Sequence, residues 1–189
     1  ANSAIYFIGV DVGRDRIHYV VTDLKNNVIT SDTDYDFELV DDEKSLRKIL
    51  DSIDRFIAGC GIDTGKILGM GVCMTGRVNP NTGRSYKYFT STEEPMRDII
   101  EKQTGIRTLL ENDTRARCFA EYYAGTINGE RNMLYLHLGR GVAIGVIMDG
   151  HLYYGKSGFA GEFGHTPFFD NEIICACGKK GCLETEVSG

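Results

Sequence analysis

AIYFIGVDVGRDRIHYVVTDL, residues 4–24, reads as two apolar runs joined by a short polar turn. Two strands closed by a glycine-containing turn, with an aspartate at its start, is how several nucleotide-binding α/β folds begin. A turn that cradles phosphate does so through backbone N–H groups, which need glycines for close approach. Here Asp11 and Gly13 are followed by Arg14, Asp15 and Arg16. Arg14 blocks that approach unless its side chain turns aside. Asp15 costs about 3 kcal/mol against each unit of phosphate charge about 5 Å away, at an effective dielectric near 20. The flanking arginines could offset that cost, or clamp a phosphate themselves.

Downstream, DLKNNVI predicts a hairpin into NVITSD, with Asn26-Asn27 able to take positive φ, and DFELV is a candidate fourth strand. Residues 43–58 predict a helix with Leu46, Ile49, Leu50, Ile53, Phe56 and Ile57 on one face, ended by Gly59 and Gly61. ILGMGVCM (67–74) predicts a buried strand, RVNPNTG (77–83) a loop, Pro95 a helix start and RTLLEN (107–112) another strand. DTRARCFAEYYAG predicts a helix capped by Asn112 or Asp113 and closed by Gly125. MLYLHLGRGVAIGVIMDGHLYYG (133–155) predicts a three-strand meander whose second turn is Asp149-Gly150. Strand pairs with glycine turns therefore occur twice, which suggests two related α/β lobes, 1–112 and 113–189, with a cleft between them.

The 189 residues carry a formal net charge of −6 and no basic stripe, so this segment is a poor nucleic-acid binder by itself. No apolar run approaches the roughly 18 residues of a membrane span. Cys60, Cys73 and Cys118 are scattered in apolar contexts and read as buried free thiols. Cys175, Cys177 and Cys182 are clustered, which argues for metal in a reducing cytoplasm rather than for a disulfide framework. With His165 ten residues upstream of Cys175 they supply three thiolates and an imidazole, a common tetrahedral zinc set. Protein would fill all four positions, so the metal is structural; three unliganded cysteines in a loop is the alternative.

Zinc would also pin Glu184 near Glu162. Two carboxylates beside an imidazole suit a polyhydroxylated ligand, because carboxylates accept from neighbouring hydroxyls; taken singly, both read as surface acids. Asn112-Asp113 lies at a strand-to-helix junction. A carboxylate there is either a helix cap or a general base on a substrate hydroxyl.

Together these residues resemble the ROK family of sugar kinases and sugar-responsive repressors. The family's C-x-C-G-x-x-G-C-L-E is matched at 175–184, its A-G-E-x-G-H at 160–165 and its D-G-x-L-x-x-G at 149–155. Its N-D with a later E-x-x-x-G is matched by Asn112-Asp113, Glu121 and Gly125. The resemblance implies an actin-like (ribonuclease H-like) two-lobed ATPase fold, cut short in the C-terminal lobe. It further implies a monosaccharide in the cleft, contacted by Asn112, Asp113, Glu162, His165 and Glu184. Gly76 lets the backbone approach the sugar, although Thr75 stands where the family has proline. Structural zinc on His165, Cys175, Cys177 and Cys182, and a homo-oligomer, are implied as well. In kinase members the residue matching Asp113 takes the proton from the attacking sugar hydroxyl, with MgATP as phosphate donor.

Both phosphate turns depart from the kinase pattern. The first keeps Asp11 and Gly13 but has Arg14 and Asp15 in place of glycine and threonine. The second keeps Gly139 and Gly141, with Arg140 for a threonine and Ala143 for a glycine. Altered phosphate turns beside a retained sugar set resemble the regulator branch, in which a separate domain binds operator DNA. The expectation is therefore a cytoplasmic sugar sensor, with an ATP-dependent hexose or N-acetylhexosamine kinase as the alternative.

Overall fold

The structure is a computed structural model that describes residues 4–189. The chain forms two compact units, one ending at Asp113 and the other spanning Thr114–Gly189. No helix among the described residues is long and apolar enough to cross a membrane.

The first unit is built on a five-stranded sheet. β1 (Tyr6–Val12), β2 (Ile17–Asp23) and β3 (Val28–Asp34) form an antiparallel meander. β4 (Ile67–Met74) adds parallel to β1. The loop predicted over 77–83 holds β5 (Val78–Asn79), which pairs with β6 (Arg84–Ser85) just beyond it as a small separate hairpin. β7 (Thr108–Asn112) then adds parallel to β4, giving the order β3-β2-β1-β4-β7. Asn26 takes φ 62° at the β2–β3 turn, as its small polar side chain permits. DFELV forms no strand: Leu39 N–H donates to the Arg14 carbonyl at 2.8 Å, tying that segment to the first turn.

Period-2 alternation decides which face is buried. Ile8, Val10 and Val12 of β1, with Val72 and Met74 of β4, pack into the core. They meet α1 (Glu43–Gly59) through Leu46, Ile49, Ile53 and Phe56, while Leu50 and Ile57 are only partly buried at its edge. The Asp42 carboxylate caps α1 by accepting from Ser45 N–H at 2.6 Å. α2 (Met96–Thr104) follows Pro95 and adds Met96 and Ile100 to the core.

One polar chain crosses this core. Tyr19 donates to Ser52 Oγ at 2.7 Å, and Ser52 donates to Asp34 Oδ2 at 2.5 Å. Burial pushes the Tyr19 hydroxyl up to about 12. An unfolded tyrosine ionises near 10, so the unfolded chain loses this proton first. The stabilisation is therefore fully present below pH ~10 and is lost as pH rises to ~12, up to about 2–3 kcal/mol. Urea unfolding at stepped pH should show this alkaline fall in the parent and a flatter profile in Tyr19→Phe; equal slopes would refute it.

α3 (Asp113–Ala124) starts at the last residue of the first unit and carries the chain into the second unit. Its sheet is antiparallel and built from β8 (Met133–Leu138), β9 (Val142–Met148) and β10 (His151–Leu152), with β9 in the middle. Asp149 and Gly150 both have positive φ, as a two-residue hairpin turn requires. Cys118 packs directly on Gly145, where a Cβ would lie 2.3 Å from that of Cys118. The opposite face exposes Leu134, Leu136 and Leu138. Of the scattered cysteines only Cys118 is fully buried; Cys60, packed against the edge of the main core, and Cys73 are half-buried.

Candidate functional site

In the first unit the polar residues gather where β4 and β7 end. Parallel pairing places Met74 beside Asn112, so the chain leaving β4 enters Gly76 next to the β7–α3 junction. Gly76 has φ 93°, which an L side chain rarely adopts. The Asn112 amide nitrogen donates to the Gly76 carbonyl at 2.9 Å and to Asp113 Oδ1 at 3.0 Å. Asp113 is the first residue of α3, where the helix dipole favours its negative charge.

The first glycine turn lies in the same unit and is closed on itself. Gly13 N–H donates to the Arg16 carbonyl at 3.0 Å, sealing the β1–β2 hairpin. Asp15 pairs with Arg16 at 2.9 Å, both side chains about half exposed. Asp11 Oδ1 accepts from the Cys73 thiol at 3.4 Å, its neighbour on β4.

In the second unit the sequence A-G-E-x-G-H folds as a tight turn. Gly161 has φ 99°, and its carbonyl accepts from Ile144 N–H at 2.9 Å and from Phe163 N–H at 2.7 Å. Glu162 leads into a single 3-10 turn, Phe163–His165. The His165 ring then faces two ways: Nδ1 lies 3.4 Å from Cys175 Sγ, and Nε2 lies 3.8 Å from Glu162 Oε2.

One ligand atom each from His165, Cys175, Cys177 and Cys182 falls within a sphere of mutual separations no larger than 4.8 Å. Cys177 Sγ and Cys182 Sγ are 3.6 Å apart. Thiolates at about 2.3 Å from a tetrahedral zinc would be about 3.8 Å apart, so the cluster fits that ion with little adjustment. Held as a thiol, Cys182 retains its proton tightly: burial, then the neighbouring thiols, push it up to about 12. A divalent cation would displace those protons. The residues that would hold it are the four predicted, and with Nδ1 turned to the thiols the Nε2 proton points toward Glu162.

Glu184 starts the short helix α4 (Glu184–Val187) two positions after Cys182. Its Oε2 accepts from Val142 N–H at 3.0 Å. It also lies 3.2 Å from where a Cβ on Gly141 would sit and 3.1 Å from one on Gly164. The carboxylate therefore reaches the 3-10 turn of Glu162 and His165. It also takes up one amide of the second glycine turn. Within that turn Gly139 N–H donates to the Gly141 carbonyl at 3.1 Å, and the Gly139 carbonyl accepts from Gly189 N–H at 2.8 Å.

Sequence reasoning overlooked Arg115, which is 2% exposed. It donates to the Gly158 carbonyl at 3.0 Å and lies 5.5 Å from the Tyr154 ring centre, anchoring the segment that leads into Glu162. Its signal was an arginine on the same face of α3 as Cys118, a position a soluble helix normally fills with an apolar side chain. Lys87 was overlooked too. Its stem covers Gly76, where a Cβ would meet the Lys87 Cβ at 3.1 Å, and its Nζ lies 5.7 Å from the Tyr88 ring centre.

The mixed α/β sheet of the first unit and the glycine-turn sheet and Cys3His cluster of the second define a protein of the actin-like ATPase class. Residues 7–189 match the ROK family, and the chain belongs to it. The chain is 32% identical to a xylose repressor of Bacillus spizizenii over 97% of its own length and 48% of the repressor's. Its fold matches a ROK family transcriptional regulator, a homologue of the E. coli Mlc protein, with TM-score 0.81 and 25% identity over 97% of this chain and 46% of that one. It also matches a ROK family glucokinase from Streptomyces griseus in complex with glucose and AMPPNP, with TM-score 0.80 and 27% identity over 97% of this chain and 57% of that one. The chain thus spans about half the length of these relatives.

Proposed function

We propose that this chain is the sugar-sensing part of a ROK-type transcriptional regulator, acting on operator DNA through a domain outside residues 1–189. Asn112 and Asp113 in the first unit, and Glu162, His165 and Glu184 in the second, serve as contacts to sugar hydroxyls, with Gly76 giving close backbone approach. A hydroxyl about 2.8 Å from both His165 Nε2 and Glu162 Oε2 can accept from the first and donate to the second. Zinc on His165, Cys175, Cys177 and Cys182 is structural, fixing the His165 ring and the start of α4.

The observation that carries the regulator reading is the closure of the first glycine turn. A phosphate would have to compete with the Arg16 carbonyl for Gly13 N–H, and with Asp15 by charge. The second turn argues the same way, since the Glu184 carboxylate already accepts from Val142 N–H. The kinase reading rests on Asp113 beside Asn112 and on likeness to a glucokinase.

The test uses the full-length protein, with operator DNA and a panel of pentoses, hexoses and N-acetylhexosamines. One sugar should shift operator affinity by about 5–150-fold, the usual range for coupled sites. MgATP turnover with every sugar should stay far below the roughly 1–100 s⁻¹ of a kinase. Turnover in that range, with no effect of sugar on DNA binding, would establish the kinase instead.

A further inference from the structure

β3 ends the sheet of the first unit at the edge opposite β7, with a strand paired on one side only among the described residues. Its register with β2 fixes which side chains share a face: Thr30 lies opposite Val21, Asp32 opposite Tyr19 and Asp34 opposite Ile17. Those three β2 residues are buried in the core. Where β2 presents an apolar face, β3 therefore presents a threonine and two aspartates at every second position. α1 does not close over them. A cleft of about 360 Å³ lies between residues 30–35 and the ridge of α1 and its cap formed by residues 52, 55, 56, 59 and 60. The stacked rings of Tyr19 and Phe56, with centroids 4.6 Å apart, line it. Residues 30–34 run about 13 Å along the strand, a length that suits an extended segment better than a compact ligand.

The two carboxylates are oriented by neutral donors. Asp34 Oδ1 accepts from Asp36 N–H at 3.0 Å and its Oδ2 from the Ser52 hydroxyl at 2.5 Å, while Asp32 Oδ1 accepts from Thr33 N–H at 2.7 Å. Arg55 is the one cation among the lining residues. It is 72% exposed and 3.7 Å from Asp34 Oδ2, so it sits at the rim. Two acids against one cation leave the cleft negative. Edge strands are kept from indiscriminate pairing by lysine, proline or inward-pointing charge. β3 (VITSDTD) has no lysine or proline, and four of its seven residues are Val, Ile or Thr, which favour strands. Its guard is the inward pair Asp32 and Asp34. That guard is selective: it disfavours an apolar or acidic strand and favours one that brings cations to the same face.

We propose that this cleft docks an extended peptide segment carrying lysine or arginine at alternate positions. The peptide adds to β3 as a sixth strand, its backbone pairing with the open edge and its cations meeting Asp32 and Asp34 beside α1. The site is independent of the sugar-site reading, since Asn112 ends β7 at the other edge of the sheet.

The experiment is calorimetry on the full-length protein with three end-capped heptapeptides. The first is Thr-Lys-Val-Lys-Val-Lys-Thr; the second has glutamate for each lysine; the third keeps the lysines but has proline for both valines, which removes ladder donors without changing charge. The first should bind about tenfold or more tighter than either of the others. In its presence amide exchange should slow over residues 28–34 and not over β7 at the opposite edge. Asp32→Lys, at an exposed position, should abolish or reverse the preference for the lysine peptide over the glutamate one, and the more conservative Asp32→Asn should weaken it. Urea unfolding of both variants checks that the fold is kept. Equal binding of the lysine and proline peptides would reduce the effect to charge attraction without strand pairing. Equal binding of the lysine and glutamate peptides would remove the charge selection, and unchanged exchange over 28–34 would place the peptide elsewhere. Each of these overturns the proposal, as does a lysine preference that survives both Asp32 variants or a lysine peptide that does not bind.

Discussion

Replacing Cys182 with serine should release the metal and, with it, the order of the segment that carries Glu184. Cys182 is wholly buried, and its Sγ is 3.6 Å from Cys177 Sγ at the centre of the cluster. A serine hydroxyl does not ionise near neutral pH and cannot replace a thiolate. Apart from the cluster, the surrounding segment is held by loop hydrogen bonds such as those of Phe168 and Phe169 N–H to the Gly181 carbonyl and of Leu183 N–H to the Thr166 carbonyl. Its strand-like pairing is limited to isolated bridges, Pro167 with Cys182 and Ile174 with Lys180, and Phe168 and Ile174 are largely exposed, at 71% and 70%. Structural zinc contributes on the order of 10 kcal/mol in small domains, so here the ion stands in for a core. Bound zinc should fall from about one ion per chain to nearly none by elemental analysis. Amide protection over 166–187 should vanish while the first unit stays protected, and sugar affinity should drop about 100-fold. Retention of one zinc per chain in the variant, or unchanged amide protection, would show that the thiol cluster is not a metal centre.

What could be read from the sequence divides by the range of the interactions involved. β1, β4 and the helix at 43–59 were readable because their periodicity and caps are local: Asp42 precedes the apolar face, and Gly61 follows its end with φ 74°. The thiol cluster was readable because its ligands lie close in sequence and the glycines between them permit a tight loop. DFELV misled because its apolar residues alternate like a strand's, yet Phe37 and Leu39 pack into the core from a loop tied to Arg14. Arg14 stood out as an obstacle in its turn, but the tie of its carbonyl to Leu39 N–H depends on the fold bringing residues 14 and 39 together. The same applies to Lys87 over Gly76, and to Glu184 reaching Val142 across 42 positions. Residue types and short spacings were available in advance; contacts between distant segments were not.

Gly161→Ala should damage the second unit more than its single methyl group suggests. At φ 99° an alanine is strained whatever the space around it, at a cost of about 1–3 kcal/mol. The space is also taken, because a Cβ would sit 2.0 Å from the Ile144 carbonyl oxygen. That carbonyl cannot yield independently, since Ile144 N–H is bonded to the Gly161 carbonyl at 2.9 Å and the two segments are locked as a pair. The total should reach about 4 kcal/mol or more, in the range reserved for named steric failures. Because Glu162 is the next residue and His165 three further on, sugar affinity should fall with stability. Gly59→Ala is the matched control. Gly59 ends α1, and an added methyl there would have nothing within 4 Å, so the change should be neutral or slightly stabilising, by up to about 1 kcal/mol. Chemical unfolding of both variants, followed by amide exchange to separate the two units, checks the contrast. A Gly161→Ala protein as stable as the Gly59→Ala protein would mean that the turn carrying Glu162 and His165 relaxes freely. The rigid placement of those two residues toward a sugar would then lose its basis.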